Sequence, residues 1–177
     1  ETTFTYDASS NVIGIAKADE FDVLSAEQSI AYDATERQTQ ATDARGYVTN
    51  YQFNARGLPS QVLQPDPDGS GPMPRPSVTS TYDKVGRLIV AEDSFCRMTL
   101  YAYDSRDRLV ESTGPDPDGE GDLDPPVIGY AYDDGGRLES VTAPLSRVTS
   151  YTYDAEGRVL ELIPADPDNG GPLSSPV

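Results

Sequence analysis

The chain has 177 residues, with thirty acidic and thirteen basic side chains, no histidine, a net charge of -17 and a pI near 4.1. That balance excludes nucleic acid and anionic membrane surfaces as partners, because phosphate binding needs an excess of Lys and Arg, and no apolar run reaches membrane-spanning length. The single cysteine excludes a disulfide framework within the chain, and a hydrophobic share of 36% with mean hydropathy of -0.52 fits a sheet with one packed face and one wet face.

Taken in chain order, an aromatic residue before Asp or Asn recurs as Tyr6, Tyr32, Phe53, Tyr82, Tyr103, Tyr132 and Tyr153. The steps are 26, 21, 29, 21, 29 and 21 residues, so a period of 50 emerges from 21 and 29. Residues 1–27 read as a partial, degenerate unit in which Tyr6 to Asp22 parallels Tyr153 to Asp168, with the loop eroded to Asp19-Glu20-Phe21-Asp22. Three units follow at 28–77, 78–127 and 128–177. Ala26 to Ala44 has a helix-like composition, but its phase with Val78 to Asp93 makes it a strand pair. In the last unit a strand ends at Tyr130 to Tyr132, Asp133 to Gly136 turns, and Arg137 to Ala143 runs back. Pro144 to Arg147 turns again, Val148 to Tyr153 is the third strand, Asp154 to Gly157 the third turn, and Arg158 to Ile163 the fourth strand. A long loop from Pro164 to Pro176 closes the unit. No segment sustains a 3.6-residue period, and Pro, Gly and Asp punctuate the chain every ten or so residues. The fold class is therefore all-β, an array of antiparallel β-hairpins.

Each hairpin has a local cause. Tyr-x-Tyr favours an extended segment with both rings on one face. The following Asp accepts backbone N–H groups and nucleates a turn, and Gly three residues later supplies a positive φ at little steric cost. Asp-x-x-Gly-Arg thus predicts a type I turn with a Gly bulge at Gly86, Gly136 and Gly157. Glu36 and Asp107 stand where that Gly is missing, and Asp tolerates the left-handed region better than Glu. The rings Tyr32, Phe53, Tyr82, Tyr103, Tyr132 and Tyr153 are expected to form a ladder that packs neighbouring hairpins, although such a ladder could also serve as a carbohydrate track. Arg87, Arg108, Arg137 and Arg158, each five residues after a ring, are placed to lie over a ring or pair with an Asp. Cys96 has Gly46 and Ser146 as its 50-residue equivalents, so it occupies a turn position filled by small residues.

The acidic loops are the one candidate site. Asp66-x-Asp68-x-Ser70-Gly71, Asp116-x-Asp118-x-Glu120-Gly121 and Asp166-x-Asp168-x-Gly170-Gly171 place oxygens at alternate positions, as the first half of a calcium loop does. Asn169 adds a carbonyl to the third loop, and Asp122 with Asp124 makes the second the tightest. The position-12 Glu is absent, with Ser77, Val127 and Val177 in its place. The same pattern fits a Pro-rigidified turn in which Asp caps backbone amides, so Ca²⁺ and a metal-free turn both stand as readings. Without histidine a Ser or Cys nucleophile lacks its usual base, and no nucleophile motif is present, so the chain does not read as an enzyme.

Gly129 to Arg158 reads Gly-Tyr-Ala-Tyr-Asp-Asp-Gly-Gly-Arg-Leu-Glu-Ser-Val-Thr-Ala-Pro-Leu-Ser-Arg-Val-Thr-Ser-Tyr-Thr-Tyr-Asp-Ala-Glu-Gly-Arg. This stretch, echoed in phase over 28–177, resembles the RHS or YD repeat family. The resemblance implies a continuous, spiralling sheet of hairpins, built into a shell or fibre, in large secreted or surface proteins. Two features depart from the family: no self-cleaving core segment is present, and Pro-Asp-Pro-Asp-Gly lengthens every second connection. Together they favour a structural extracellular scaffold, a section of a filament or long surface fibre, over an adhesion or toxin-encapsulating shell. Copies of itself or further repeats of the same chain are the expected partners. Glu1 opens without a signal peptide and residue 177 falls at a unit's end, so the chain reads as an excerpt whose strand edges meet more protein.

Overall fold

The computed structural model describes residues 1–18, 24–69, 71–119 and 121–166. Among them are fourteen strands: β1 Thr2–Tyr6, β2 Val12–Ala18, β3 Leu24–Tyr32, β4 Gln38–Thr42, β5 Val48–Phe53, β6 Pro59–Leu63, β7 Ser77–Tyr82, β8 Leu88–Asp93, β9 Met98–Tyr103, β10 Leu109–Thr113, β11 Val127–Tyr132, β12 Leu138–Ala143, β13 Arg147–Tyr153 and β14 Val159–Ile163. All are antiparallel to their sequence neighbours, and the order in the sheet is the order of the chain. The eroded loop Asp19 to Asp22 and the end of the last loop lie outside the described residues.

Two compact units divide the chain, Glu1–Thr81 with Glu92–Cys96, and Tyr82–Ala91 with Arg97–Val177. In the first, β1 through β7 pair in succession. The β3–β4 pair runs from Ser29 opposite Thr42 to Tyr32 opposite Gln38, so Ala26 to Ala44 is the hairpin its phase predicted. In the second, β9 through β14 pair in the same way. Register shifts at Tyr32, Phe53, Tyr132 and Tyr153 mark the bulges that the turns impose.

The turns follow from their residues. In the hairpin β11–β12 the Asp133 N–H donates to the Arg137 carbonyl at 2.9 Å, and the Gly136 N–H donates to the Asp133 carbonyl at 2.9 Å. Gly136 has φ +81, a region that costs an L residue energy and Gly little. Glu36 at φ +62 and Asp107 at +64 adopt the same conformation without the help of Gly. Cys96 at φ +60 and Ser146 at +58 do likewise, which gives the small-residue position its physical reason. The turn expected at Pro144 to Arg147 spans Pro144–Ser146, with Leu145 at φ +65 and Ser146 at φ +58 both left-handed, and Arg147 already belongs to the next strand.

One expectation is overturned. Composition suggested a sheet with a packed face, yet none of the described residues is fully buried, hydrophobic or polar. Alternation is present, as in Met98–Tyr103, but the described side chains are at most partly covered. Partial burial of this kind comes from neighbours along the sheet, so cohesion falls on side-chain links between hairpins.

Candidate functional site

The residues singled out by the repeat converge on a linkage that recurs from hairpin to hairpin. Its first element is the turn Asp. Asp104 Oδ1 accepts from the backbone N–H groups of Arg106 at 2.8 Å and Arg108 at 3.0 Å, and Oδ2 accepts from Arg108 Nε at 2.7 Å. The same Nε to Oδ2 bond closes Asp33–Arg37 at 2.8 Å, and Asp83–Arg87, Asp133–Arg137 and Asp154–Arg158 at 2.7 Å. One carboxylate therefore satisfies the turn amides and fixes a guanidinium, a charge-assisted geometry stronger than a neutral hydrogen bond. Where the sequence changes, the chemistry follows: Asn11 Nδ2 reaches Asp7 Oδ2 at 3.1 Å in place of an Arg, and Asn54 Oδ1 caps the Arg56 and Leu58 amides.

The second element is the ring of the next hairpin. Arg37 lies over Phe53 at 4.7 Å, Arg87 over Tyr103 at 4.9 Å, Arg108 over Tyr132 at 4.4 Å and Arg137 over Tyr153 at 4.8 Å, measured to the ring centroid. These are cation–π distances. The third element runs backwards: the Tyr103 hydroxyl donates to the Leu88 carbonyl at 2.9 Å, Tyr132 to Leu109 at 2.8 Å, and Tyr153 to Leu138 at 2.8 Å. Tyr32 makes the equivalent bond to Val12 at 3.0 Å. Each acceptor is the residue just after the Arg position, so ring, guanidinium and carbonyl interlock. Arg87 Nη1 and Arg137 Nη1 add bonds to the carbonyls of Asp104 and Asp154 at 3.3 and 3.2 Å. Tyr82 ends β7 in the matching place, and Arg158, paired with Asp154, is 76% exposed.

Asp107 plays a part beyond tolerating its backbone conformation. Its Oδ1 accepts from Arg87 Nη1 at 2.7 Å, an ion pair reaching back from the left-handed turn position to the preceding hairpin. At the corresponding place in the next link stands Gly136, and Arg108 Nη1 is buried without a partner. Arg37 belongs to the ladder although it was not among the sequence candidates; its place in the 50-residue phase is the signal that finds it.

The turn carboxylates are held in the ionised form. The Arg37 guanidinium, then the Thr35 hydroxyl, draw Asp33 far below the usual carboxylate range. Partial burial works against ionisation at Asp83, but the hydrogen bonds from Arg87, Val85 and Gly86 together bring it down to about 2. At Asp104, Asp133 and Asp154 the backbone N–H of the following Arg lowers the pKa, and its guanidinium adds to the effect.

The acidic loops use their carboxylates differently. Asp116 Oδ1 accepts from the amides of Asp118 at 3.1 Å and Gly119 at 3.0 Å, while Asp118 Oδ2 accepts from Leu123 at 3.2 Å. In the earlier loop Asp66 Oδ1 accepts from Asp68, and Asp68 Oδ2 from Met73 at 3.0 Å. The loops close where Gln64 N–H donates to Pro76 and Gly114 N–H to Pro126, both at 2.8 Å. Arg75 ties the first loop to β5, with Nη2 donating to the Val48 carbonyl and Asn50 Oδ1 at 2.8 Å each. Gly71 and Gly121 leave room for these carboxylates, since a Cβ would lie 1.9 Å from Asp68 Oδ2 and 2.0 Å from Asp118 Oδ2 and would force the Asp side chain to shift. Among the described residues no group of three His, Cys, Asp or Glu side chains is arranged to hold a metal. Asp122 and Asp166 are described, whereas Ser70, Glu120, Asp168 and Asn169 lie outside the described residues.

Comparison with known proteins places these features. Residues 130–166 match the family model described as RHS Repeat. A crystal structure of TcdB2-TccC3-TEV is similar in fold, with TM-score 0.74 at 16% identity, over 92% of this chain and 9% of that one. TcdB2-TccC3 without its hypervariable C-terminal region gives TM-score 0.61 at 17% identity, over 90% of this chain and 10% of that one. The Tc holotoxin pore of Photorhabdus luminescens gives 0.55 at 14%, over 96% and 12%. The chain thus spans about a tenth of the length of the solved chains it resembles. No curated protein matches.

Proposed function

We propose that this chain, which carries the RHS repeat at residues 130–166, is a non-catalytic section of an extracellular RHS-type scaffold and serves as part of a filament or long surface fibre. The observation that carries the reading is the interlock of Arg, ring and carbonyl from one hairpin to the next. It stabilises lateral continuation of a sheet that has no fully buried core residue among those described. Side chains that elsewhere do chemistry are occupied in holding turns, and the acidic surface keeps such an assembly soluble. The 50-residue stretches 28–77, 78–127 and 128–177 are the units of construction in this reading. No helix among the described residues is long and apolar enough to cross a membrane.

A second reading, the wall of a closed shell, is favoured by the fold likeness to TcdB2-TccC3 chains. Electron microscopy of the native material separates the two: uniform filaments with an axial repeat support the fibre, and closed hollow particles support the shell. Monomeric globules of neither kind would refute both. Self-capped acidic turns suit either assembly, and Ca²⁺ binding at them is the alternative that the chelator experiment below decides.

A further inference from the structure

A groove of about 890 Å³ lies in the second unit, beside the loop that joins β10 to β11. Its lining includes Pro115, Leu123, Pro126, Val127 and Leu145, with Asp122 and Asp124 among them. Leu123 is 59% and Leu145 82% exposed. Leu145 also has φ +65, a conformation that L side chains with bulk disfavour. In the turns at Gly46 and Cys96 a single residue is left-handed, whereas at Leu145 and Ser146 two successive residues are. At Leu145 high exposure coincides with a backbone conformation that costs a bulky L residue energy, and such a combination marks a surface that meets something else.

The chemistry of the groove selects its occupant. Residues 115–126 hold Asp116, Asp118, Glu120, Asp122 and Asp124 and no Lys or Arg. Arg108 and Arg137, nearby in sequence, are committed to Asp104 and Asp133, which leaves Arg147 as the adjacent base. Pro115, Pro117, Pro125 and Pro126 have no N–H, so this wall offers carbonyl and carboxylate acceptors with few donors. Ammonium and guanidinium groups are donors only and carry the opposite charge. The same acidic wall on a second copy would not suit this groove, since like charges oppose the contact.

We propose that this groove binds a short polypeptide segment in which an apolar side chain is flanked by Lys or Arg. The apolar residue sits against Leu145, Leu123 and Val127, and the flanking cations meet Asp122 and Asp124. The assignment is independent of whether the scaffold forms a fibre or a shell.

The test uses the 177-residue chain and a fluorescein-labelled peptide, Arg-Lys-Leu-Phe-Leu-Lys-Arg, followed by fluorescence anisotropy at low and physiological salt. Two control peptides replace the cations by Glu and Asp, or the apolar centre by serines. The basic apolar peptide is expected to saturate and the controls to bind at least about tenfold more weakly. Leu145→Asn should weaken binding by about tenfold while keeping the turn, because Asn tolerates positive φ, and circular dichroism checks that the strands persist. Asp122→Asn with Asp124→Asn should weaken binding and flatten its salt dependence. Absence of saturable binding, equal binding of the serine peptide, or indifference to Leu145→Asn in a folded protein would each overturn the assignment. So would sedimentation showing that the chain alone self-associates through Leu145.

Discussion

Tyr132 offers the sharpest test of the interlock, because two of its interactions can be removed one at a time. Tyr132→Phe deletes the hydroxyl that donates to the Leu109 carbonyl at 2.8 Å and keeps the ring 4.4 Å beneath Arg108. A partly buried hydrogen bond contributes about 1 kcal/mol net, so Phe should cost about that much. Tyr132→Leu also removes the cation–π contact, worth about 0.5–1 kcal/mol at a partly exposed site, for a total near 2 kcal/mol. The same pair at Tyr153 should give nearly the same values, since its hydroxyl bond is 2.8 Å and its Arg137 distance 4.8 Å. Urea melts give the differences, and hydrogen exchange at β10 and β11 shows whether they are local. A double-mutant cycle of Tyr132→Leu with Arg108→Met isolates the ring contact, with an expected coupling of about 0.5–1 kcal/mol. Zero coupling, or a Phe variant as stable as the parent, would refute the reasoning.

Four further outcomes are expected. Stability should fall as the pH drops below the usual Asp value of 3.8 toward about 2, where Asp83 titrates in the folded chain. The sign follows because a depressed carboxylate pKa stabilises the fold above the unfolded pKa and loses that contribution on protonation; thermal melts across this window check it, and a flat profile counts against the turn carboxylates. Gly136→Asp should place a carboxylate by the unpartnered Arg108 Nη1, which lies 3.6 Å from the Cβ position, and should therefore be better tolerated than Gly157→Asp, whose Cβ meets nothing within 4 Å; equal urea midpoints would count against an ion pair. Gly121→Ala should displace Asp118 and expose the Leu123 amide, costing about 1 kcal/mol in local protection; hydrogen exchange reads it, with no matching change in β13. Chelator or added Ca²⁺ should leave the melting temperature and the Leu123 amide unchanged, because the described loop oxygens already accept backbone amides; a rise with Ca²⁺ would assign a cation site instead.

Local causes were legible in the sequence and distant ones were not. Asp-x-x-Gly-Arg announces its turn because the atoms that form it lie within five residues, and the structure shows that turn with Gly136 at φ +81. That an Arg would lie over a ring was legible, but the five-residue spacing points from Arg108 to Tyr103 of its own hairpin, and the structure sets it over Tyr132 of the next. The hydroxyl bond from Tyr132 to Leu109 spans 23 residues and ends on a backbone carbonyl, which no side-chain pattern encodes. Asp107 looked like a residue tolerated in the left-handed region; its bond to Arg87, 20 residues away, gives it a role of its own. Gly71 and Gly121 were read as the sixth position of a cation loop. Their closeness to Asp68 and Asp118, which only the folded loop brings about, fits the Asp-capped turn that stood beside that reading. The packed face inferred from composition failed for a different reason: hydropathy reports how much apolar surface a chain carries, not whether a second layer is there to cover it.

Because the ties seen among the described residues join a hairpin to the one beside it, a duplicated pair of hairpins meets at both borders the kind of neighbour its parent had. Recombination between copies can then lengthen or shorten the gene without redesigning any junction. Copy number then sets how many hairpins the sheet holds.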